Sequence, residues 1–311
     1  MPTVMLFQST DASAPTLTGQ TGSLIALLDA CLVNGYGSKA AAGWTKSYSG
    51  TNKAAYRQGA GSQFYFRVDD SGPGAGGAKE ARIVGYEAMT GIDAGTNPFP
   101  AAAQMANGLF IRKSAAADAT ARAWRLLATD KAVHLIIYSG DVANNATLTF
   151  FGDIVSLKPS DVYAAALIAR ATENSATATN DEGAYVGIIG NAAVRTGHYL
   201  ARSHTGVGGS KQFACIAPGY MSAAGYAGGA SALVMYPNGA DGGYHLQPFT
   251  VVYDTVVRGT IPGIYAPCHN APFSDGDTVG GAGAMSGWNF LVVGCMSAAQ
   301  VAFETTANSW G

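Results

Sequence analysis

The sequence predicts an α+β protein, mainly β, built of antiparallel sheets with one early amphipathic helix laid on a sheet and long Gly/Ala-rich loops. Three observations predict it. A single segment near the start carries helical apolar spacing. Most later apolar runs are short, alternate with polar residues and are bounded by turn residues. Finally, 41 glycines and 48% apolar residues accompany only 12% charged residues, which is about half the usual charged share and unlike the composition of disorder.

The helix comes first. Leu24, Ile25, Leu27, Leu28, Cys31 and Leu32 recur at the spacing of one helix face, Ser23 is a candidate N-cap, and Asn34-Gly35 is a stop signal. So short a helix does not hold together in water, and its apolar face must be covered by the strands that come later in the chain. A Gly- and Ala-rich turn region comes next, then QFYFRVDD, in which Phe64 and Phe66 alternate with Gln63, Tyr65 and Arg67 as in a half-buried strand. The SGPGAGG turn leads to ARIVGYEAM, giving an antiparallel pair over residues 63–88. TGIDAGTNPFPAAAQ reads as a loop because of Pro98 and Pro100.

Three strands come after that loop: GLFIRK (108–113), AWRLLAT (123–129) and AVHLIIYSG (132–140), with Asp130-Lys131 as a tight hairpin turn. LTFFGDIVSL (148–157) is a strand with a bulge expected at Gly152. KPSDVYAAALIAR is open to a short helix capped by Asp161 or to an edge strand. The polar run ATENSATATNDE ends the hydrophobic pattern. It places an N-terminal helix-plus-sheet domain at 1–171, a loop or boundary at 172–182 and a Gly-rich β domain at 183–311. In the second half QPFTVVYDTVV (247–257) is the clearest strand, and SGWNFLVVGC (286–295) pairs with VAFETT (301–306) as a closing hairpin. No period of repetition suggests a solenoid or propeller.

Chemistry is sparse. The net charge of −2 supplies no basic field for nucleic acid, and no apolar run is long enough to span a bilayer. The N-terminus lacks the basic start and cleavage site of a signal peptide, so the expected place of synthesis is a cytoplasm. Cys31, Cys215, Cys268 and Cys295 are too scattered for metal or redox motifs; they read as small buried hydrophobes, with bridges between subunits as the sharper alternative. Gly281-Ala-Gly283-Ala-Met-Ser-Gly287 misses the dinucleotide spacing, and Gly206 to Lys211 misses the phosphate-loop pattern, so no cofactor is expected. There is no GxSxG elbow and no HExxH; His134, His198, His204, His245 and His269 read as structural. Cys268-His269 are neighbours and on a strand would point to opposite faces. Asp69-Asp70, Asp153, Asp161 and Asp275/Asp277 are the carboxylates to weigh; the last pair favours a turn over calcium, because a calcium loop needs more oxygen ligands. No catalytic or metal site is expected.

Several stretches together carry a resemblance: DACLVNGYGSKAAAGWTK (29–46), SGTNKAAYR (49–57), RVDD (67–70), ARIVGYEAM (81–89), FFGDIVSLKPSD (150–161), RGTIPGIYAPCHNAP (258–272) and FETTANSW (303–310). In these the chain resembles a family of tailed-bacteriophage virion structural proteins, encoded among tail genes and mostly without an assigned activity. The resemblance covers most of the chain and contains no catalytic motif. It implies a structural subunit of the phage tail, in the tail tip or baseplate. Such a subunit is made in the bacterial host cytoplasm and assembles with other tail proteins and with itself, as a trimer or in sixfold arrangement. Low charge agrees with a surface meant to be covered by other subunits. Trp44, Tyr48, Tyr56, Tyr220, Tyr226 and Tyr244 are the candidate interface residues, and with Tyr65, Tyr86, Tyr236 and Tyr253 they would make a sugar- or pilin-binding surface if exposed together. The rival readings are a host-receptor-binding tail protein, a capsid decoration or head–tail connector subunit, and a cell-wall-degrading virion enzyme.

Overall fold

The structure is a computed structural model that describes residues 3–74, 76–141, 146–171, 196–216, 246–267, 273–296 and 299–311. Its first half contains β1 (Met5–Gln8), the helix α1 (Ser23–Leu28), β2 (Thr45–Gly50), β3 (Lys53–Arg57), β4 (Tyr65–Asp69), β5 (Glu80–Gly91), β6 (Ala94–Phe99), β7 (Leu109–Arg112), β8 (Ala123–Ala128), β9 (Ala132–Tyr138), β10 (Thr147–Asp153), β11 (Val155–Ser156) and β12 (Ala165–Arg170). The rest supplies β13 (Thr196–Leu200), β14 (Lys211–Gln212), β15 (Ala214–Ile216), β16 (Leu246–Tyr253), β17 (Val256–Pro267), β18 (Thr278–Gly280), β19 (Asn289–Met296) and β20 (Ala299–Glu304). All pairings are antiparallel, in two sheets. One runs β1-β8-β9-β10-β12-β7-β5-β4-β3-β2 with β13, β14 and β6 attached, and the other runs β15-β16-β17-β20-β19-β18 with β11 on β17.

The first sheet curls over on itself. Phe66 of β4 and Phe151 of β10 are four strands apart in the sheet order, yet their ring centroids are 5.4 Å apart, and Trp44 stacks edge-on to Phe151 at 5.6 Å. Backbone and side-chain bonds close the curl: Gly59 N donates to Asp130 O at 2.9 Å and Trp44 Nε1 to Thr129 O at 2.8 Å. Leu24, Leu27, Leu28, Cys31 and Leu32 fill the space between the two limbs. The expected helix on a sheet is present, and it continues from α1 as a wider π-helical stretch, Asp29–Asn34, ending at Gly35 (φ 76) whose N–H reaches Ala30 O.

Its N-terminus differs from expectation. The N-cap position is Gly22, and the Ser23 hydroxyl instead donates to Thr18 O and Gln20 O. The acceptor for the Leu24 N–H is Asp70 Oδ2, at 2.8 Å, from the far end of β4. A carboxylate brought in by the sheet does what a local hydroxyl would otherwise do.

The outer face of β8, β9, β10 and β12 is covered by the second sheet. Ile136, Leu148, Phe150, Ala166 and Ile168 share a core with Phe249, Ile264, Val293, Phe303 and Trp310, while Val133, Leu135, Phe151, Leu167 and Ala169 point into the first core. These strands are therefore buried on both faces, which is why AVHLIIY and AALIAR are almost continuously apolar although antiparallel. It also explains the correction to KPSDVYAAALIAR, which yields neither helix nor edge strand: β12 is a central strand, fully buried along its length.

Other expectations meet the structure unevenly. The 63–88 pair, the strands β7 to β9 with their Asp130-Lys131 turn, and the closing β19–β20 hairpin are present. The Gly/Ala-rich region after the helix contains the β2–β3 hairpin, turning at Asn52 (φ 55). The expected Pro-punctuated loop is strand β6, and Pro98 is tolerated because β6 pairs only with β5. QPFTVVYDTVV is two strands that turn at Asp254 (φ 55). At Gly152 the β9–β10 register is unbroken; a Cβ there would lie 2.4 Å from Lys131 O, so glycine serves close backbone approach and not a bulge. The polar 172–182 stretch lies outside the described residues, and the two sheets do not divide there: β13 and β14 belong to the first sheet and β11 to the second.

Candidate functional site

The candidate interface aromatics separate into three groups. Trp44 and Tyr56 are buried, 3% and 0% exposed, which corrects their assignment to a surface. Their apolar bodies fill the first core, while their polar atoms meet Thr129 O and the Asp29 carboxylate. Tyr48 is half-buried on the outer face of the curl, where its hydroxyl donates to Met89 O and its ring lies 6.3 Å from that of Tyr65. Tyr220, Tyr226 and Tyr244, like Tyr236, lie outside the described residues. Tyr65 and Tyr86 are register partners on that same outer face, but the Arg57 guanidinium covers the Tyr65 ring at 5.3 Å and Gly95 sits directly on Tyr86. No free stacking platform results from these three tyrosines.

The carboxylates are equally occupied. Burial raises the Asp153 carboxyl above its usual range although it accepts from Ser62 N and Oγ and from Gln58 Nε2, contacts that hold the 58–64 loop over the end of β10. Asp275 binds Arg125, the Tyr138 hydroxyl and Gly294 N, which ties the first sheet to the second. Asp277 accepts from Ser274 N at 2.7 Å, as the turn reading requires. Asp161 takes Arg258 at 2.6 Å, with both side chains 2% exposed. A larger buried cluster lies across β5, β7 and β12: Arg112 grips Asp141 through two nitrogens at 2.7 and 2.5 Å, and Arg170 reaches Glu80 Oε1 at 2.5 Å. Burial opposes ionisation of Asp141, but the Arg112 and Ser139 hydrogen bonds outweigh it and hold the carboxyl below its ordinary range.

His134 is buried between the sheets, its ring 4.9 Å from Phe150, 5.0 Å from Phe303 and 5.5 Å from Trp310. Because a carbonyl only accepts, the 2.7 Å contact to Pro262 O fixes the proton on Nε2. Burial pushes its pKa down to about 4, so it is a neutral structural imidazole. His198 packs on Phe213, and His245 and His269 lie outside the described residues, as do Cys268 and its pairing with His269. Cys31 and Cys215 are free thiols whose pKa values burial pushes upward. Among the described residues no group of His, Cys, Asp or Glu is arranged to hold a metal ion.

What the structure does leave exposed is a set of large apolar side chains on adjoining segments. Leaving β11, the chain turns on Asp161, which accepts from Ser156 Oγ and Tyr163 N, while Leu157 N donates to Arg258 O at the start of β17. The 203–207 loop is tied to the same framework: Lys158 Nζ donates to His204 O, and Gly206 lies against the Tyr163 ring. On these adjoining segments Leu157 is 69% exposed, Val162 60%, Val207 71% and Val257 51%. With Val256 they are the large apolar side chains left exposed among the described residues. Sequence reasoning missed them because Leu157 and Val257 sit in apolar runs that read as half-buried strands, and which side chains stay uncovered depends on how the strands pack.

No protein-family description matches the chain, and no curated protein matches it.

Proposed function

We propose that this chain is a structural subunit of a tailed-phage virion, seated in the tail tip or baseplate and assembling with copies of itself and with other tail proteins. The observation that carries the reading is the exposure of the aliphatic side chains of Leu157, Val162, Val207 and Val257 on a protein whose described residues keep five ion pairs buried inside. Large aliphatic side chains exposed on adjoining segments are what a neighbouring subunit would cover. The sequence resemblance points the same way. Each candidate acid and each histidine whose contacts are given above is engaged in holding the fold, which favours geometry and adhesion over turnover.

Peptide mass spectrometry of gradient-purified virions, separated into heads and tails, tests this reading. The chain is expected in the tail fraction at a fixed stoichiometry. Its recovery only in the head fraction would transfer it to capsid decoration or the connector, and its absence from particles would defeat the proposal. Clearing of host peptidoglycan or polysaccharide in a zymogram would likewise overturn a purely structural role.

A further inference from the structure

We propose that Lys113 and Asp70 form an intramolecular isopeptide bond, joining Nζ to the side-chain carboxyl carbon, made by the folded chain itself. This inference is independent of the virion role. Both side chains are 0% exposed, and Nζ is in direct contact with Asp70 Oδ1. Nζ also donates to Gln20 O at 2.7 Å and lies 3.4 Å from Ser23 Oγ, while Asp70 Oδ2 accepts from Leu24 N at 2.8 Å.

A dehydrated ion pair is costly to keep, and burial acts on both partners. It pushes Asp70 up to about 6, against the pull of Lys113, and it lowers the Lys113 ammonium. Passing the proton from ammonium to carboxylate leaves a free amine beside a carboxylic acid, the two held in contact inside the fold. The amine lone pair then attacks the carboxyl carbon. Charge develops on Oδ2, where the Leu24 N–H already points. The new N–C bond forms, one Nζ proton passes to Oδ1, which Nζ already contacts, the carbon–Oδ1 bond breaks, and one water leaves. An amine and an acid become an amide and water, so no oxidant or co-reactant is needed.

The product fits the site as well as the reactants do. The amide N–H keeps Gln20 O and the amide oxygen keeps Leu24 N–H, so both polar atoms of the new amide are paired. Asp70 comes directly after β4 and Lys113 directly after β7, with β5 between them, so the bond would staple the middle of the curled limb beneath the start of α1.

Intact mass spectrometry of the purified full chain under denaturing conditions reads the bond directly. The expected mass is that of the sequence less one water, and a digest should contain one branched peptide joining Asp70 to Lys113. Lys113→Arg keeps a cation but cannot form the amide, and should restore the full mass. Asp70→Asn should form the same amide by losing ammonia. Full sequence mass with a linear Lys113 peptide in the wild type would overturn the proposal, and so would a water loss that persists in Lys113→Arg. Should Lys113→Arg fail to fold, the wild-type digest alone decides.

Discussion

The neutral histidine between the sheets makes a quantitative prediction about acid. His134 has a pKa of about 4 in the folded protein against about 6.5 in an unfolded chain. Between those values the unfolded state binds more protons, so stability rises with pH. The contribution is complete above about pH 6.5 and is lost as pH falls toward 4. With about 1.4 kcal/mol per unit, the full loss is on the order of 3 kcal/mol, and most of it has occurred by about pH 4.5. His134→Gln keeps an N–H donor for Pro262 O and removes the titration. Urea unfolding at neutral pH and at about pH 4.5 should show the wild type losing roughly 2 to 3 kcal/mol more than the variant. Using the difference between the two proteins cancels the other titrating groups, including Asp70, whose raised pKa would push stability the opposite way. An Asp70 locked in an amide would not titrate at all, so the isopeptide bond should also steepen the acid loss seen in both proteins. Equal acid sensitivity of wild type and variant would refute the reasoning, because His134 would then be no more buried as a neutral base than in the unfolded chain.

Three further outcomes are expected. Arg112→Met leaves Glu80 and Asp141 facing a lost partner in a dry site, and should cost roughly 3 to 5 kcal/mol in chemical denaturation; a loss under about 1 kcal/mol would mean that water reaches the cluster. Trp44→Ala, a core truncation and not an interface change, should destabilise by about 3 to 5 kcal/mol, whereas a purely interfacial Trp44 would leave the melting temperature of the free chain unmoved. Leu157→Ser combined with Val207→Ser should change the free chain's stability by no more than about 0.5 kcal/mol per site, yet reduce the chain's recovery in assembled tails; unchanged incorporation would remove this surface from the assembly reading.

Legibility in the sequence tracks the range over which each signal acts. The helix shows because its period is local, and so do the β8–β9 and β19–β20 hairpins, whose two strands adjoin in sequence. The β2–β3 hairpin is hidden because KAAYR offers small residues where a strand usually offers branched ones, and its turn depends on Asn52 at positive φ. Strand β12 is hidden for the opposite reason: buried on both faces, AALIAR has no alternation to read. The helix cap cannot be found locally at all, since Asp70 lies 46 residues from Leu24. The same distance problem governs the aromatics. Trp44 and Tyr56 are chemically able to serve a surface, and only the curl that brings Phe151 opposite Phe66 puts them inside.

The buried charges alter what the composition means. Low overall charge suggests a surface to be covered by companions, but that inference assumes the few charges present lie outside. Arg112, Lys113, Arg170 and Arg258 are instead nearly inaccessible, paired with Asp141, Asp70, Glu80 and Asp161. The exposed surface of the described residues is therefore poorer in charge than the sequence implies, and Leu157, Val162, Val207 and Val257 stand exposed on it. Ion pairs also stiffen the fold: the partly exposed Asp275–Arg125 pair ties one sheet to the other, and the buried Glu80 cluster binds three strands of the curl, so that under the proposed assembly role the surface offered to a neighbour would be held in one shape before contact.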